Sequence, residues 1–263
     1  MNKNCNYYSN FGNYDINEYY KKFLIDNPQE INRFQTIMSL MPKDCSSILD
    51  IGCGNGFFLH LIQKSINITD LVGIEPIKDK VKSMIHNFNI PGIIADAGHL
   101  PFKSESFDAV IALEVLEHLP YTTYSKALNE IQRISKKYIV ISVPYNETLR
   151  NIKCPYCKCE FNSTYHIRSF NEKNLMTIFP SYKNYLLEKI GIVKIPAINF
   201  FNIFRSQASF PEFAVCPLCG YRKISSEDKI HKKIMTNHLY LSLSMIIPKK
   251  KSYSWIVGIY KKC

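Results

Sequence analysis

Apolar residues follow two periods along this chain, and the places where one gives way to the other mark its elements. Short apolar runs bounded by turn residues predict buried strands at 47–51, 71–74, 90–95, 107–112, 138–143, about 185–192 and 255–260. Helical spacing predicts helices over 57–65 and 77–88. Ahead of them, 16–41 reads as two helices broken at Pro28, with Ile31, Phe34, Ile37 or Met38, and Met41 recurring on a face that packs on the sheet. Residues 171–179 read as an amphipathic helix with Asn171 as its cap.

The first strand runs into its helix through Ile48-Leu-Asp-Ile-Gly-Cys-Gly-Asn-Gly-Phe-Phe58. Gly52, Gly54 and Gly56 allow positive φ and bring bare backbone N–H groups close to a ligand at the helix start. Cys53, inside the loop, suits it by small size rather than nucleophilicity. The glycines run G-x-G-x-G, and Asp50 stands two residues before the first. That carboxylate repels a pyrophosphate and favours a ligand carrying an ammonium group. S-adenosylmethionine has such an ammonium and no phosphate. The second strand ends in Glu75, followed by Pro76, where an acid can accept both ribose hydroxyls of an adenosine. Asp96 follows the third strand, placed to meet an adenine amino group, and the fourth runs through Ala112 and Leu113 into Glu114-Val-Leu-Glu117-His118-Leu-Pro.

With those four elements in that order, residues 47–144 resemble the class I S-adenosylmethionine-dependent methyltransferases. The resemblance implies an α/β fold: a Rossmann-like, seven-stranded, mostly parallel sheet with helices on both faces and its last strand antiparallel. It also implies that Asp50, Gly52, Cys53, Gly54 and Gly56 line the methionine end, that Glu75 and Pro76 hold the ribose, and that Asp96 and Ala97 flank the adenine, with Leu113 at the same pocket. Three regions are expected: a helical cap over 1–46, the cofactor-binding core over 47–150, and the rest of the sheet with an inserted module over 151–263.

Charge changes the picture in the last region. The net charge of +11 over 263 residues hides an asymmetry: residues 1–150 carry 15 Lys and Arg against 16 Asp and Glu, and 151–263 carry 18 against 6. A basic half suits an anionic partner, whether RNA, a phosphorylated or glycan-linked substrate, or an acidic membrane surface. The apolar fraction of 46% is ordinary for a globular core, and no apolar run reaches the ~18 residues needed to span a bilayer, so a cytoplasmic protein is expected. No heptads or repeats appear, and nothing in the pattern sets an oligomeric state.

Five of the nine cysteines cluster in the basic half. Cys154-Pro-Tyr-Cys157 and Cys216-Pro-Leu-Cys219 are two knuckles of nearly identical form, each offering two thiolates from one tight turn. Together they predict a closed structural zinc site, and their 58-residue separation makes it tie distant segments together, as a wall or lid over the pocket. Cys159 is surplus to four-coordination.

Glu114, Glu117 and His118 stand at i, i+3 and i+4, and a short helix there would put them on one face, able to hold Mg²⁺, Mn²⁺ or another divalent ion. His166, after the fifth strand, would be a fourth ligand or a general base. The E-x-x-E-H arrangement is similar to that of ubiquinone-biosynthesis O-methyltransferases and small-RNA 3′-end 2′-O-methyltransferases, where a metal binds vicinal oxygens. The same string also occurs in relatives without such a metal. Phe200, Phe201, Phe204, Phe210 and Phe213, beside Arg205, form an acceptor pocket, a stacking surface or buried packing; 239–247 reads as a core segment before the last strand. The expected activity is methyl transfer from S-adenosylmethionine to oxygen on a small, glycan-linked or lipid-linked acceptor. The alternatives are an RNA 2′-O-methyltransferase, a non-catalytic binding protein with the same fold, and an NAD-dependent reductase.

Overall fold

Continuous apolar strands need cover on both faces, and the sheet of this protein has it. The architecture comes from a computed structural model, which describes residues 28–65, 68, 70–196, 210–211, 213–223 and 249–263. Helix α1 (Pro28–Leu40) leads into β1 (Ser47–Ile51), α2 (Phe57–Ser65), β2 (Asp70–Ile74), α3 (Lys78–Phe88), the two-residue β3 (Gly92–Ile93) and β4 (Phe107–Leu113). Helix α4 (Tyr121–Ile134) and β5 (Ser135–Pro144) follow, then the short β6 (Asn151–Lys153) and β7 (Glu160–Asn162). Helix α5 (Glu172–Met176), β8 (Tyr182–Pro196) and β9 (Lys249–Lys262) complete the described chain.

The seven-stranded sheet has the order β3-β2-β1-β4-β5-β9-β8. Strands β1 to β5 pair in parallel and β9 runs antiparallel to β5, with Pro144 opposite Trp255 and Tyr138 opposite Lys261. The expected architecture is therefore observed. The order turns back between β1 and β4, so their carboxyl ends form the crevice where ligands sit in open α/β sheets.

Alternate residues of each strand feed two cores. Leu49, Ile51, Val110, Ala112, Ile139 and Ile141 point to one face, where Ala127, Ile131 and Ile134 of α4 cover them with Leu175 and Phe179. Ile48, Leu71, Ala109, Ile111 and Val140 point to the other, under Ile37 of α1, Leu59 and Ile62 of α2, and Met84 of α3. Asn171 caps α5 through a reciprocal capping box with Asn174, as expected, although the helix stops at Met176. Helix α4 has no counterpart in the sequence reading, and β5, β8 and β9 extend beyond their predicted bounds. The predicted segments before Pro28 and over 239–247, and Phe200, Phe201, Phe204 and Arg205, lie outside the described residues.

The described residues divide into two compact units. The larger holds α1 to α5, β1 to β5 and the adjoining parts of β8 and β9. The smaller comprises Leu149–His166 with the described part of Ile192–Tyr253. In it β6 and β7 pair antiparallel over a core of Ile152, Phe161, Tyr165, Phe210 and Ala214. Phe210 is thus a packing residue, edge-on to Phe161 and Tyr221.

Candidate active site and cysteine cluster

The glycine loop is shaped by what crowds it and by what does not. The N–H groups of Gly52 and Cys53 both donate to the Ile74 carbonyl, at 2.7 and 3.0 Å, which folds the loop over the end of β2. A Cβ on Gly52 would lie 2.4 Å from Val115 Cγ2, so a side chain there is excluded by the turn that follows β4. Gly54 is different. At φ +55° it has no atom within 4 Å of where a Cβ would stand, which leaves bare backbone facing open space at the sheet's crevice. Beside it the buried Glu75 carboxylate accepts from the N–H of Gly54 (3.1 Å) and of Ile77 (3.3 Å), with Lys80 Nζ at 3.9 Å. Asp50 is buried at the end of β1, and burial, reinforced by the charge of Glu75, holds its pKa well above the usual carboxylate value. Asp96 accepts from the N–H of Gly98 (2.8 Å), which fixes the turn that buries Ala97. Burial, followed by the charges of Asp50 and Glu75, raises the Cys53 thiol well above its usual pKa, so it carries no nucleophile.

The residues after β4 do not form the expected helix. Glu114 takes a left-handed φ of +57°, residues 116–118 make one turn closed by the His118 N–H on the Val115 carbonyl (3.1 Å), and helix begins only at Tyr121. The reason lies in long-range packing. The N–H of Glu114 donates to the Ser142 carbonyl (2.9 Å), and its carboxylate accepts from Trp255 Nε1 (3.0 Å) and Ser142 Oγ (3.2 Å). Arg33, a residue that sequence reasoning missed, reaches the same carboxylate at 3.6 Å. Only 7% exposed, its guanidinium lies over Phe34 and Trp255 and is paired with Glu30 at 2.6 Å. A charged residue inside the apolar stripe of α1 was the available signal. Burial pushes Glu114 up to about 7 despite Arg33. Glu117 is fully buried, neither carboxylate oxygen has a hydrogen-bond partner, and burial and the nearby Glu114 hold its pKa well above normal. Arg168 pins the turn by donating to the Leu116 carbonyl (2.6 Å) and that of Leu119, with Tyr124 under its guanidinium. His118 is half-buried in this turn. His166, also half-buried, is the last residue of the smaller unit, and the N–H of the next residue, Ile167, donates to the Glu117 carbonyl (2.9 Å).

Comparison with known proteins shows what the strands that form this crevice are similar to. Residues 49–140 match a family described as methyltransferase domain. This stretch, from β1 to β5, is thus similar to a methyltransferase domain. An uncharacterised protein of Methanocaldococcus jannaschii is 41% identical over 101 residues, which cover 36% of this chain and 40% of that protein. A ubiquinone/menaquinone biosynthesis C-methyltransferase of Campylobacter jejuni is 31% identical over 109 residues, 39% of this chain and 46% of that protein. The chain thus spans about two fifths of the length of the curated relatives it matches. In fold it is similar to a solved S-adenosylmethionine-dependent methyltransferase of Archaeoglobus fulgidus, with a TM-score of 0.54 and 20% identity, covering 93% of this chain and 100% of that one. A possible histamine N-methyltransferase of Thermotoga maritima gives 0.53 and 19%, covering 94% and 96%.

The cysteine cluster lies outside the matched methyltransferase domain. Cys154, Cys157, Cys216 and Cys219 bring their sulfurs within 4.8 Å of one another. Cys154 and Cys219 are 3.7 Å apart, and Cys157 and Cys216 3.5 Å. The two knuckles repeat one hydrogen-bond scheme: the N–H of Cys154 donates to the Cys159 carbonyl (2.8 Å) and that of Cys216 to Tyr221 (2.9 Å), while Lys158 and Gly220 donate back to Cys154 and Cys216. Lys158 and Gly220 share a left-handed φ, of 64° and 72°. Burial alone would raise the Cys216 thiol, but backbone N–H groups of Cys219 and Leu218 bring it below its usual value. Cys159 Sγ stands 3.5 Å from Cys216 Sγ and is a fifth sulfur at the edge of the cluster.

Proposed function

We propose that the methyltransferase domain binds S-adenosylmethionine at the β1/β4 crevice and transfers its methyl group to an oxygen of a small, glycan-linked or lipid-linked acceptor. The observation that carries this reading is the bare backbone of Gly54 facing open space beside two buried acids, Asp50 and Glu75. A sulfonium donor with an ammonium tail fits that charge, and a diphosphate does not. When bound, the donor supplies an already activated methyl group. The protein's part is alignment and proton removal. Glu75 holds the ribose hydroxyls, Asp50 and the loop from Gly52 to Gly56 with Cys53 hold the methionine end, Asp96 and Ala97 flank the adenine, and Leu113 and Pro76 border the pocket. His118 or His166 takes the acceptor proton, and Glu114, titrating near neutrality, and Glu117 set the charge around it. A divalent ion on Glu114, Glu117 and His118 is an alternative way to lower the acceptor's pKa.

The cysteine cluster we assign to a structural zinc. Sulfurs at ~2.3 Å from a tetrahedral ion stand about 3.8 Å apart, close to the separations found. Free thiols in this number suit a reducing compartment such as the cytoplasm. No helix among the described residues is long and apolar enough to cross a membrane.

The Campylobacter relative is named a C-methyltransferase, which makes carbon a second candidate for the acceptor atom. An RNA 2′-hydroxyl is a further one, supported by the basic half. Thermal shift with S-adenosylmethionine, S-adenosylhomocysteine and NAD, followed by transfer of isotopic methyl into fractionated metabolites, lipids and RNA, tests the reading. Stabilisation by NAD and not by the two adenosyl ligands rejects it.

A further inference from the structure

The smaller unit exposes apolar side chains where a soluble turn would carry polar ones. Tyr156 is 77% exposed, Leu218 53% and Phe213 70%. Tyr156 and Leu218 occupy the same position of the two knuckles, third in Cys-Pro-x-Cys. Because the thiols of both knuckles lie within 4.8 Å of one another, the two tips are neighbours on one small module. Neither side chain belongs to the unit's core, whose apolar residues are Ile152, Phe161, Tyr165, Phe210 and Ala214. The knuckle fold holds them out: Cys154 and Cys216 are buried, and the residues between the paired cysteines form the outer edge of each turn.

The surroundings of these tips are positive. The described residues of the unit contain nine Lys and Arg and a single acid, Glu160. Lys153 and Lys158, three residues before and two after Tyr156, are both exposed, as is Arg222, four after Leu218.

We propose that this knuckle surface docks on an anionic lipid bilayer, with Tyr156 and Leu218 entering the headgroup boundary and the lysines and arginines facing the lipid phosphates. Charge complementarity selects an anionic partner. The apolar tips select which one. A single-stranded nucleic acid would ask for planar rings at the tips, and the knuckle position equivalent to Tyr156 holds Leu218, which offers no face for a base to stack on. An interface between water and hydrocarbon accepts tyrosine, phenylalanine and leucine alike. The inference concerns where the protein is held and stands whether or not a methyl group is transferred.

The test is flotation of the zinc-loaded full chain with vesicles of phosphatidylcholine alone and of phosphatidylcholine with 30% phosphatidylglycerol, beside fluorescence anisotropy with 12-nucleotide single strands. The expected result is binding to the anionic vesicles and not to the neutral ones, weakened at least tenfold between 50 and 300 mM salt. The Tyr156→Ser, Leu218→Ser double variant should weaken it at least tenfold with zinc content and melting temperature unchanged, since both side chains are exposed. Lys153→Glu should weaken it about fivefold or more. Equal binding to neutral vesicles, no vesicle binding, binding that the double variant leaves intact, or binding to oligonucleotides in place of vesicles would each overturn the proposal.

Discussion

Replacing Glu114 with glutamine should make the protein more stable at pH 8, and by much less at pH 5. In the folded state burial raises this carboxyl from 4.5 to about 7. Between those values the folded chain keeps a proton that the unfolded chain has released, so stability falls by about 1.4 kcal/mol per pH unit as pH rises. Over this interval the loss approaches about 3 kcal/mol and is complete above the folded pKa. Glutamine copies the protonated form: its carbonyl oxygen can accept from Trp255 Nε1, its amide N–H can donate to Ser142 Oγ, and it carries no charge to desolvate. The variant's advantage over wild type should therefore be under about 1 kcal/mol at pH 5 and grow to about 3 kcal/mol by pH 8, with the attraction to Arg33 already counted in the folded pKa. Urea unfolding at constant ionic strength, followed both by far-UV circular dichroism and by the fluorescence of the single tryptophan, measures it. A variant less stable than wild type at pH 8 would show that the Arg33 pair outweighs desolvation, and would refute the reasoning.

Other outcomes are as specific. Gly54→Ile should lower affinity for S-adenosylmethionine at least tenfold in calorimetry, because it fills open space, with a cost to stability of about 2 kcal/mol for a β-branched residue in a left-handed backbone. Gly56→Ala should do the reverse: its Cβ would sit 2.2 Å from Met84, a buried core residue, so a drop in melting temperature is expected. Cys157→Ser and Cys219→Ser should each remove about one zinc per chain by elemental analysis and destabilise the smaller unit. Asn171→Ala should cost about 1 kcal/mol in chemical unfolding by removing the cap of α5.

The parts of this protein that read well from sequence are those whose cause is local or family-wide. Strands β1 and β4 are buried on both faces, so apolar residues fill them apart from Ser47, Asp50 and Asp108, and their bounds nearly coincide with the predicted ones. Asn171 and the two knuckles are short-range devices, each complete within six residues. Helix α4 escaped because its buried stripe is only Ala127, Ile131 and Ile134, following an opening of Tyr-Thr-Thr-Tyr that carries no helical signal. The turn at Glu114 was misread for a different reason. Its spacing of acids is helical, but Ser142, Trp255 and Arg33 hold it from three distant segments, and Val115 closes on Gly52. No local pattern encodes contacts 28, 141 and 81 positions away.

The two knuckles also impose an order on synthesis. Cys157 and Cys216 have 58 residues between them, and β8 lies in the interval. A chain emerging from the ribosome presents the first pair of thiols long before the second, and closing so long a loop costs entropy that is offset only once Phe210, Ala214 and the second pair of thiols have joined the first. Strands β1 to β5 are all made before the first knuckle. The crevice at β1 and β4 can therefore take shape first, and the cysteine module closes on itself afterwards, late in the making of a chain that has already begun to fold.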